Sequence, residues 1–363
     1  MEPWLLTLAL AEQAVGLSDP NPRVGCLIVS ADGATLLGQG HTQAAGGPHA
    51  EVMALRDARA RGVDVRGATV YVTLEPCAHH GLTPPCCDAL VAAGVGRVEI
   101  AVGDPNPLVD GQGSARLAAA GIALGRAPEA VARRARELNI GFFARMERGR
   151  PWVRMKIAAS LDGRTALPNG ASQWITGPDA RADGHAWRRR AGAVLTGIGT
   201  LLADDPSLDV RRVPTERQPL RCIVDARLDT SPTARLFESA APVLLFTASS
   251  DEGRRAALRA RGAEIVDVPS HAGRIHLDAV LDALAARPVN EIHVEAGARL
   301  NGALLRTGRV DELLLYLAPT LLGAGRGLAD LGELTALSQA TAFDFHDAVK
   351  VGADLRILAR SRR

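Results

Sequence analysis

The segment His49-Ala50-Glu51 constrains this chain most, because Pro76-Cys77 and then Cys86 follow it in order. Histidine and cysteine are ligands that Zn²⁺ prefers, and three of them leave one tetrahedral position free for water. A purely structural zinc site more often has four protein ligands. Glu51 lies two residues after the histidine, where its carboxylate can exchange protons with a metal-bound water. The spacing therefore predicts zinc ligands at His49, Cys77 and Cys86, with Glu51 as the catalytic residue.

The order of these residues is typical of zinc nucleobase deaminases, whose signature is H-x-E followed by P-C-x-x-C. Here eight residues separate the two cysteines, and this segment, residues 78–85, is long enough to form part of a substrate pocket. His79 and His80 are rival ligands, which we interpret as pocket-lining groups. Either motif alone is more typical of a helix-surface pair or a small buried cysteine. A structural zinc site is the main alternative to the catalytic one.

Length and composition limit the class of protein. A chain of 363 residues predicts two domains of about 150 to 215 residues each. A net charge of only +2 and an aromatic content of 3% argue against binding of nucleic acid. An odd, sparse set of cysteines is typical of a reducing cytosol. The apolar stretch at residues 4–10 is too short for a membrane span, so we expect a cytoplasmic protein that does not bind membranes.

The first part of the chain alternates helical and strand patterns. The pattern predicts helices at residues 3–15, 49–61 and 86–93 and strands at residues 24–29, 68–74 and 98–102. His49 and Glu51 then lie in the first turn of one helix and Cys86 begins the next, where the helix dipole favours anions and deprotonated ligands. We therefore expect the carboxyl ends of these strands to border one cleft, which is where open α/β sheets bind ligands.

A boundary is expected at residues 149–151, so that residues 1–147 form the first domain and residues 148–363 the second. The second part again alternates strands and helices, which predicts a second α/β domain. Its expected strands are residues 152–159, 193–196, 220–224, 243–246, 292–295 and 312–317, and its expected helices are residues 178–190, 254–261 and 277–286.

The second domain has weaker site signals. Residues 295–302 follow a strand and open a helix, which is a geometry that can bind phosphate through backbone N–H groups. An ordinary strand-to-helix turn explains the same pattern, and the glycine-rich residues 321–327 are equally ambiguous. Lys156, Arg188 and Arg211 could contact a substrate phosphate, although each one alone is more typical of a solvated surface charge.

Several ordered motifs resemble the bifunctional deaminase–reductase family of riboflavin biosynthesis, and they extend through nearly the entire chain. In the first part they are residues 19–25, 47–52 and 75–86, and in the second part residues 156–165, 172–176, 202–206 and 294–297. The resemblance implies a cytidine-deaminase-like α/β/α sandwich followed by a dihydrofolate-reductase-like α/β domain. It implies zinc-dependent deamination of 2,5-diamino-6-ribosylamino-4(3H)-pyrimidinone 5′-phosphate, followed by NADPH-dependent reduction of the ribosyl group of 5-amino-6-(5-phosphoribosylamino)uracil to ribityl.

The resemblance also implies roles for individual residues. It repeats the zinc ligands and the proton-carrying glutamate given above and places the pyrimidine against Asn21. The substrate positions implied for the reductase are Ser172, Arg188, Leu208, Arg211 and Glu295. The NADPH positions that it implies are Ala158, Trp174, Thr200, Asp204 and Gly297.

Three positions depart from the family pattern. Thr42 stands where the family usually has histidine, with His41 one place earlier, and Leu82 stands where the loop usually has arginine or lysine. Ala226 stands where serine is frequent. The first two concern recognition of phosphate or ribose by the deaminase, and the third concerns contact with the cofactor.

Two other functions remain as alternatives. One is a nucleic-acid base deaminase with an attached binding domain, which the charge, the few aromatic residues and the long loop disfavour. The other is a structural zinc module with a degenerate reductase that binds a partner. The preference for NADPH over NADH comes from the resemblance alone, and the sequence leaves open whether the chain forms a homo-oligomer.

Overall fold

A computed structural model describes residues 3–81, 83–107 and 109–362 of the chain. The chain divides into two units, residues 1–149 and residues 150–363. Both units are mixed α/β, which confirms the expected fold class. Leu82 lies outside the described residues. No helix in the described ranges is both long and apolar enough to cross a membrane.

In the described part of the first unit, one sheet of five strands has the order β2-β1-β3-β4-β5. Strand β1 is antiparallel to β2 and to β3, whereas β3, β4 and β5 are parallel. The strands are β1 (Gly25–Val29), β2 (Leu36–His41), β3 (Thr69–Val72), β4 (Arg97–Ile100) and β5 (Ala123–Arg126). The helices are α1 (Pro3–Gln13), α2 (Ala50–Ala60), α3 (Cys86–Ala93), α4 (Gln112–Ala119), α5 (Glu129–Leu138) and α6 (Ile140–Arg148).

The sheet order brings the two halves of the zinc motif to one edge. Strands β2 and β3 flank β1 and are both antiparallel to it, so they run in the same direction and end at the same edge. The chain leaves β2 toward His49 and leaves β3 toward Cys77. Residues far apart in sequence therefore meet because of strand direction.

Strand β2 was not expected from the sequence, and a glycine explains its place in the fold. Gly40 faces helix α2 so closely that a Cβ there would lie 2.5 Å from the Cβ of Met53 and 2.6 Å from the backbone nitrogen of Ala54. Only glycine permits this approach. Helix α2, which carries Glu51, therefore packs directly against the sheet.

In the described part of the second unit, nine strands form one sheet with the order β10-β9-β8-β7-β13-β6-β14-β16-β15. The strands from β10 to β14 in this order are parallel, and β16 and β15 continue the sheet antiparallel. The strands are β6 (Trp152–Ser160), β7 (Ala193–Gly197), β8 (Leu220–Val224), β9 (Val243–Thr247), β10 (Ala263–Asp267), β13 (Glu291–Val294), β14 (Glu312–Ala318), β15 (Phe343–Val351) and β16 (Asp354–Ser361). A separate hairpin contains β11 (Ser270–His271) and β12 (Arg274–Ile275), and the helices are α7 (Pro178–Arg190), α8 (Ile198–Asp204), α9 (Glu252–Arg259), α10 (Leu277–Ala285) and α11 (Ala298–Arg306).

A buried ionic cluster ties the central strands of this sheet together. Arg154 on β6 contacts Glu291 on β13 at 2.6 Å and Glu312 on β14 at 2.5 Å, and all three side chains are at most 2% exposed. Arg190 and Arg360 contact the same two carboxylates at 2.8 and 3.1 Å. Because buried charges are tolerated only when they are paired, this cluster constrains the register of three neighbouring strands.

Candidate functional site

His49 and Glu51 lie at the start of helix α2. His49 is the N-cap residue with extended backbone angles, φ −76° and ψ 168°, and its side chain makes no capping hydrogen bond. The imidazole is therefore directed elsewhere, and its Nδ1 lies near two thiols. Glu51 occupies the first turn of the helix and is only 3% exposed.

Cys77 and Cys86 meet across the turn that follows β3. Cys86 is the first residue of α3, and its backbone N–H donates to the Sγ of Cys77 at 3.3 Å. The backbone N–H of Cys87 donates to the carbonyl oxygen of Cys77 at 3.2 Å. A hydrogen bond from the Cys86 thiol lowers the pKa of the Cys77 thiol. The N-terminus of α3 thus stabilises a thiolate at position 77.

The three predicted ligand atoms form one compact group. Nδ1 of His49 lies 3.6 Å from the Sγ of Cys77 and 3.4 Å from the Sγ of Cys86, and all three atoms lie within 4.8 Å of one another. Zn–N bonds of about 2.0 Å and Zn–S bonds of about 2.3 Å at a tetrahedral angle place nitrogen and sulfur about 3.5 Å apart. The donor types and their separations therefore fit a tetrahedral zinc ion.

The environment of Glu51 suits a proton carrier. Burial, followed by the negative charge of Cys77, raises the pKa of Glu51 to about 7. A carboxyl with this pKa can both accept and release a proton near neutral pH. An ordinary exposed glutamate is ionised at this pH and donates poorly.

His49, Glu51 and Cys77 line one cavity of about 280 Å³, close to the lower end of the range of small-ligand cavities, about 300–1,000 Å³. Asn21, expected at the pyrimidine, lines the same cavity, as do Thr42 and His79. The hydroxyl of Thr42 also accepts a hydrogen bond from the backbone of Val24 at 3.2 Å, which fastens the end of β2 to the entry of β1.

Sequence reasoning assigned no role to three ionisable residues of this cavity, one of which, Glu75, lies within the motif of residues 75–86. Glu75 is 4% exposed and accepts hydrogen bonds from the backbone N–H groups of Ser114 at 2.8 Å and Gly111 at 3.2 Å, so it anchors the start of α4 beside the cysteine turn. Asp104 is buried, and this burial raises its pKa to about 6. Arg145 reaches the cavity from α6. Their positions depend on contacts between distant segments, which no local motif indicates.

In the second unit the expected substrate residues Arg188 and Glu295 form a pair. Arg188 donates from Nε and Nη2 to the two carboxylate oxygens of Glu295 at 2.7 and 2.9 Å. Lys156 Nζ lies 4.0 Å and His293 Nε2 lies 3.4 Å from this carboxylate. Although burial acts to raise it, the charge of Arg188, together with His293 and Lys156, holds the pKa of Glu295 well below its usual value.

The other expected substrate residues lie around helix α7. Arg211 is half exposed, contacts Asp209 at 2.5 Å, and donates its backbone N–H to Nδ1 of His185 at 3.3 Å, one turn before Arg188. Leu208 is 3% exposed with a positive φ of 55°, and Ser172 is partly buried in the loop before α7. Within the described residues, no hydrogen bond joins Ser172 to the Arg188–Glu295 pair.

Four of the five expected NADPH residues lie at or just after the carboxyl ends of strands in the second sheet. Ala158 lies near the carboxyl end of β6, Thr200 and Asp204 lie on α8 directly after β7, and Gly297 follows β13 as the N-cap of α11. These strands are parallel, so their carboxyl ends share the edge at which α/β sheets bind ligands. Trp174 is 66% exposed, with the Arg181 guanidinium 4.8 Å from its ring. Ala226 follows β8 at this edge and lines an open depression.

Comparison with known proteins matches both units. The family model for the RibD C-terminal domain matches residues 151–357, and the model for the cytidine and deoxycytidylate deaminase zinc-binding region matches residues 2–102. The riboflavin biosynthesis protein RibD of Escherichia coli is 44% identical over 361 residues, which cover 96% of this chain and 95% of that protein. The protein from Bacillus amyloliquefaciens is 38% identical, with 99% and 96% covered.

Solved structures agree over the same length. Acinetobacter baumannii RibD is 39% identical, with a TM-score of 0.88 over 99% of this chain and 98% of that one. A diaminohydroxyphosphoribosylaminopyrimidine deaminase/5-amino-6-(5-phosphoribosylamino)uracil reductase from Thermotoga maritima is 31% identical, with a TM-score of 0.86 and the same coverage. The chain therefore belongs to the RibD family of bifunctional riboflavin-biosynthesis enzymes, with a zinc-binding deaminase domain followed by a reductase domain.

Proposed function

We propose that residues 1–147 hydrolyse the 2-amino group of 2,5-diamino-6-ribosylamino-4(3H)-pyrimidinone 5′-phosphate. Residues 148–363 then use NADPH to reduce the ribosyl group of 5-amino-6-(5-phosphoribosylamino)uracil to ribityl. The observation that carries the first activity is the group of His49, Cys77 and Cys86, two of which line one cavity together with the buried Glu51. The Thermotoga maritima relative, which is a deaminase and reductase of these compounds, supports both steps.

His49, Cys77 and Cys86 are the proposed zinc ligands. A zinc ion bound there supplies a water whose pKa is lowered toward neutrality. Glu51 is the proposed general base and acid: its carboxylate would take one proton from the attacking water and deliver it to a ring nitrogen, and would then carry the second proton of that oxygen to the leaving amino group, which departs as ammonia. In the metal-free site, burial raises the pKa of Glu51 to about 7, and the positive charge of a bound zinc would favour the carboxylate form that acts as the base. Asn21 is proposed to orient the pyrimidine by its side-chain amide, which can donate and accept hydrogen bonds.

In the reductase, the proposed substrate residues bind through charge and shape. Arg211, with 49% of its side chain exposed, is the better placed of the two arginines for the ribose phosphate, since Arg188 already holds Glu295 through Nε and Nη2. Glu295, kept ionised by its neighbours, can accept hydrogen bonds from sugar hydroxyls. Ser172 and Leu208 complete the proposed substrate set. NADPH is assigned to the strand edge that carries Ala158, Thr200, Asp204 and Gly297, together with the exposed Trp174, because a hydride donor needs orientation more than a strong acid.

A coupled assay tests both steps in one sample. The pyrimidinone phosphate is supplied with NADPH, and ammonia release and NADPH oxidation are followed together. Glu51→Gln is expected to keep zinc and to lower ammonia release by about 10²- to 10⁴-fold. The same variant is expected to oxidise NADPH normally when the deaminated intermediate is supplied.

Glu295→Gln provides the reciprocal control, with normal ammonia release and impaired NADPH oxidation. Normal ammonia release by Glu51→Gln would refute the proton-carrier role. Faster oxidation of NADH than of NADPH would refute the assigned cofactor.

A further inference from the structure

We propose that Arg145 recognises the 5′-phosphate of the deaminase substrate and so makes the first unit specific for a ribotide over the corresponding riboside. This inference rests on the proposed deaminase function and names a specificity residue for it. Arg145 lies in the last turn of α6 and lines the same cavity as His49 and Glu51.

The charge of the cavity calls for a cation. Its acidic lining side chains are Glu51, Glu75 and Asp104. A phosphate monoester carries a charge of about −1.5 to −2 at pH 7 and would be repelled by such a lining. Arg145 is the only lysine or arginine among the described residues that line this cavity. The loop of residues 78–85 contains neither residue type, so it supplies no cation of its own.

The surroundings of Arg145 hold its guanidinium in place. Its Nη2 donates to the carbonyl oxygen of Pro20 at 3.4 Å, next to the Asn21 that lines the cavity. The charge of Asp19 acts on the guanidinium, and the ring of Phe142 lies 5.9 Å from its central carbon. A guanidinium has five donors in a planar fork, so it can contact neighbouring protein groups and still bind phosphate oxygens. Because Asp19 offsets part of the charge, we expect a moderate contribution to substrate binding.

The test compares two substrates of the full-length, zinc-loaded protein: the pyrimidinone ribotide and the same compound after its phosphate is removed. Arg145→Gln is expected to raise KM for the ribotide about 10- to 100-fold, the range for a lost hydrogen bond to a charged group, with kcat unchanged. KM for the riboside is expected to stay the same. Arg145→Lys should restore most of the difference, because it restores the charge.

Arg148→Gln is the matched control. Arg148 lies in the same helical turn, is exposed and does not line the cavity, so its loss should leave both KM values unchanged. Zinc content and circular dichroism report whether each variant is folded. An equal loss of activity on both substrates by Arg145→Gln, or an unchanged KM for the ribotide, would overturn the inference.

The wild-type protein separates this inference from the function on which it rests. If the wild type releases ammonia from ribotide and riboside with the same KM, the role of Arg145 is refuted and the proposed deaminase stands. If the wild type releases no ammonia from the ribotide, the proposed function fails, and the role of Arg145 fails with it.

Discussion

The buried carboxyl of Glu51 should make the metal-free protein less stable as pH rises, and Glu51→Gln should remove this dependence. Burial and the charge of Cys77 raise the pKa of Glu51 from 4.5 to about 7 in the folded state. Each pKa unit corresponds to about 1.4 kcal/mol. Keeping the ionised carboxylate in the folded first unit therefore costs about 3 kcal/mol relative to the unfolded chain.

The sign follows from proton binding. Below about pH 4 the carboxyl is protonated in both states and contributes no difference. Between its unfolded and folded pKa values the folded state retains a proton that the unfolded chain has released, so the free energy of unfolding falls as pH rises. It levels off above the folded pKa of about 7. Glutamine is neutral throughout, so the advantage of Glu51→Gln should grow by about 3 kcal/mol from pH 4 to pH 8.

Urea unfolding of the chelator-treated protein, followed by pulsed hydrogen exchange of peptides from β1 and α2, measures the first unit alone. Glu147→Gln, at an exposed residue paired with Arg136, is the control and should follow the wild type. Reloading zinc should shrink the effect, because a nearby cation stabilises the carboxylate. Identical pH dependence for the wild type and Glu51→Gln in the metal-free state would refute the reasoning.

Three further predictions concern the zinc ligands, the buried ionic cluster of the second sheet and the contact between Gly40 and helix α2. Cys77→Ser should lower bound zinc measured by elemental analysis, whereas Cys222→Ser, at a buried thiol of the second unit, should not; unchanged zinc would remove Cys77 from the ligand set. Arg154→Met leaves two carboxylates buried and should lower the free energy of unfolding in urea by about 3 kcal/mol. The control Arg61→Met, at an exposed arginine, should lower it by less than about 1 kcal/mol. Equal losses in the two variants would contradict the burial argument. Gly40→Ala should displace α2, lower the free energy of unfolding by about 1–3 kcal/mol and reduce ammonia release. Unchanged stability and activity would show that α2 can shift to make room for the added methyl group.

The sequence predicted those elements whose apolar pattern is local. The strand at residues 220–224 and the helices at residues 86–93 and 178–190 have the bounds that were expected. The sequence did not predict strand β2, because two glycines weaken its apolar pattern, although its contact with α2 requires glycine. Strand β15 was not predicted for another reason: most of its side chains are exposed, so its conformation is set by pairing with β16.

The candidate site shows the same division between local and long-range information. Residue type and order were enough to predict that His49, Cys77 and Cys86 lie together, since the chemistry of metal ligands restricts both. Arg145 carried no such signal, because an arginine on an amphipathic helix is usually solvated. It reaches the cavity through packing of α6 against the Pro20 turn, a contact between residues 125 positions apart. Only the folded chain brings that charge to the zinc motif.

In the two units, the pKa of a functional glutamate is shifted in opposite directions. Glu51 has thiols and an imidazole beside it, so burial dominates and its pKa rises to about 7. Glu295 is partly buried, with 17% of its side chain exposed, but Arg188 pairs with both of its oxygens, and its pKa lies well below the usual value. The first carboxyl can exchange a proton during a reaction near neutral pH, whereas the second remains an anion. Hydrolysis of an amino group requires proton transfer, and reduction by a hydride donor requires an oriented substrate. The charge partners placed around each glutamate therefore match the chemistry proposed for its own unit.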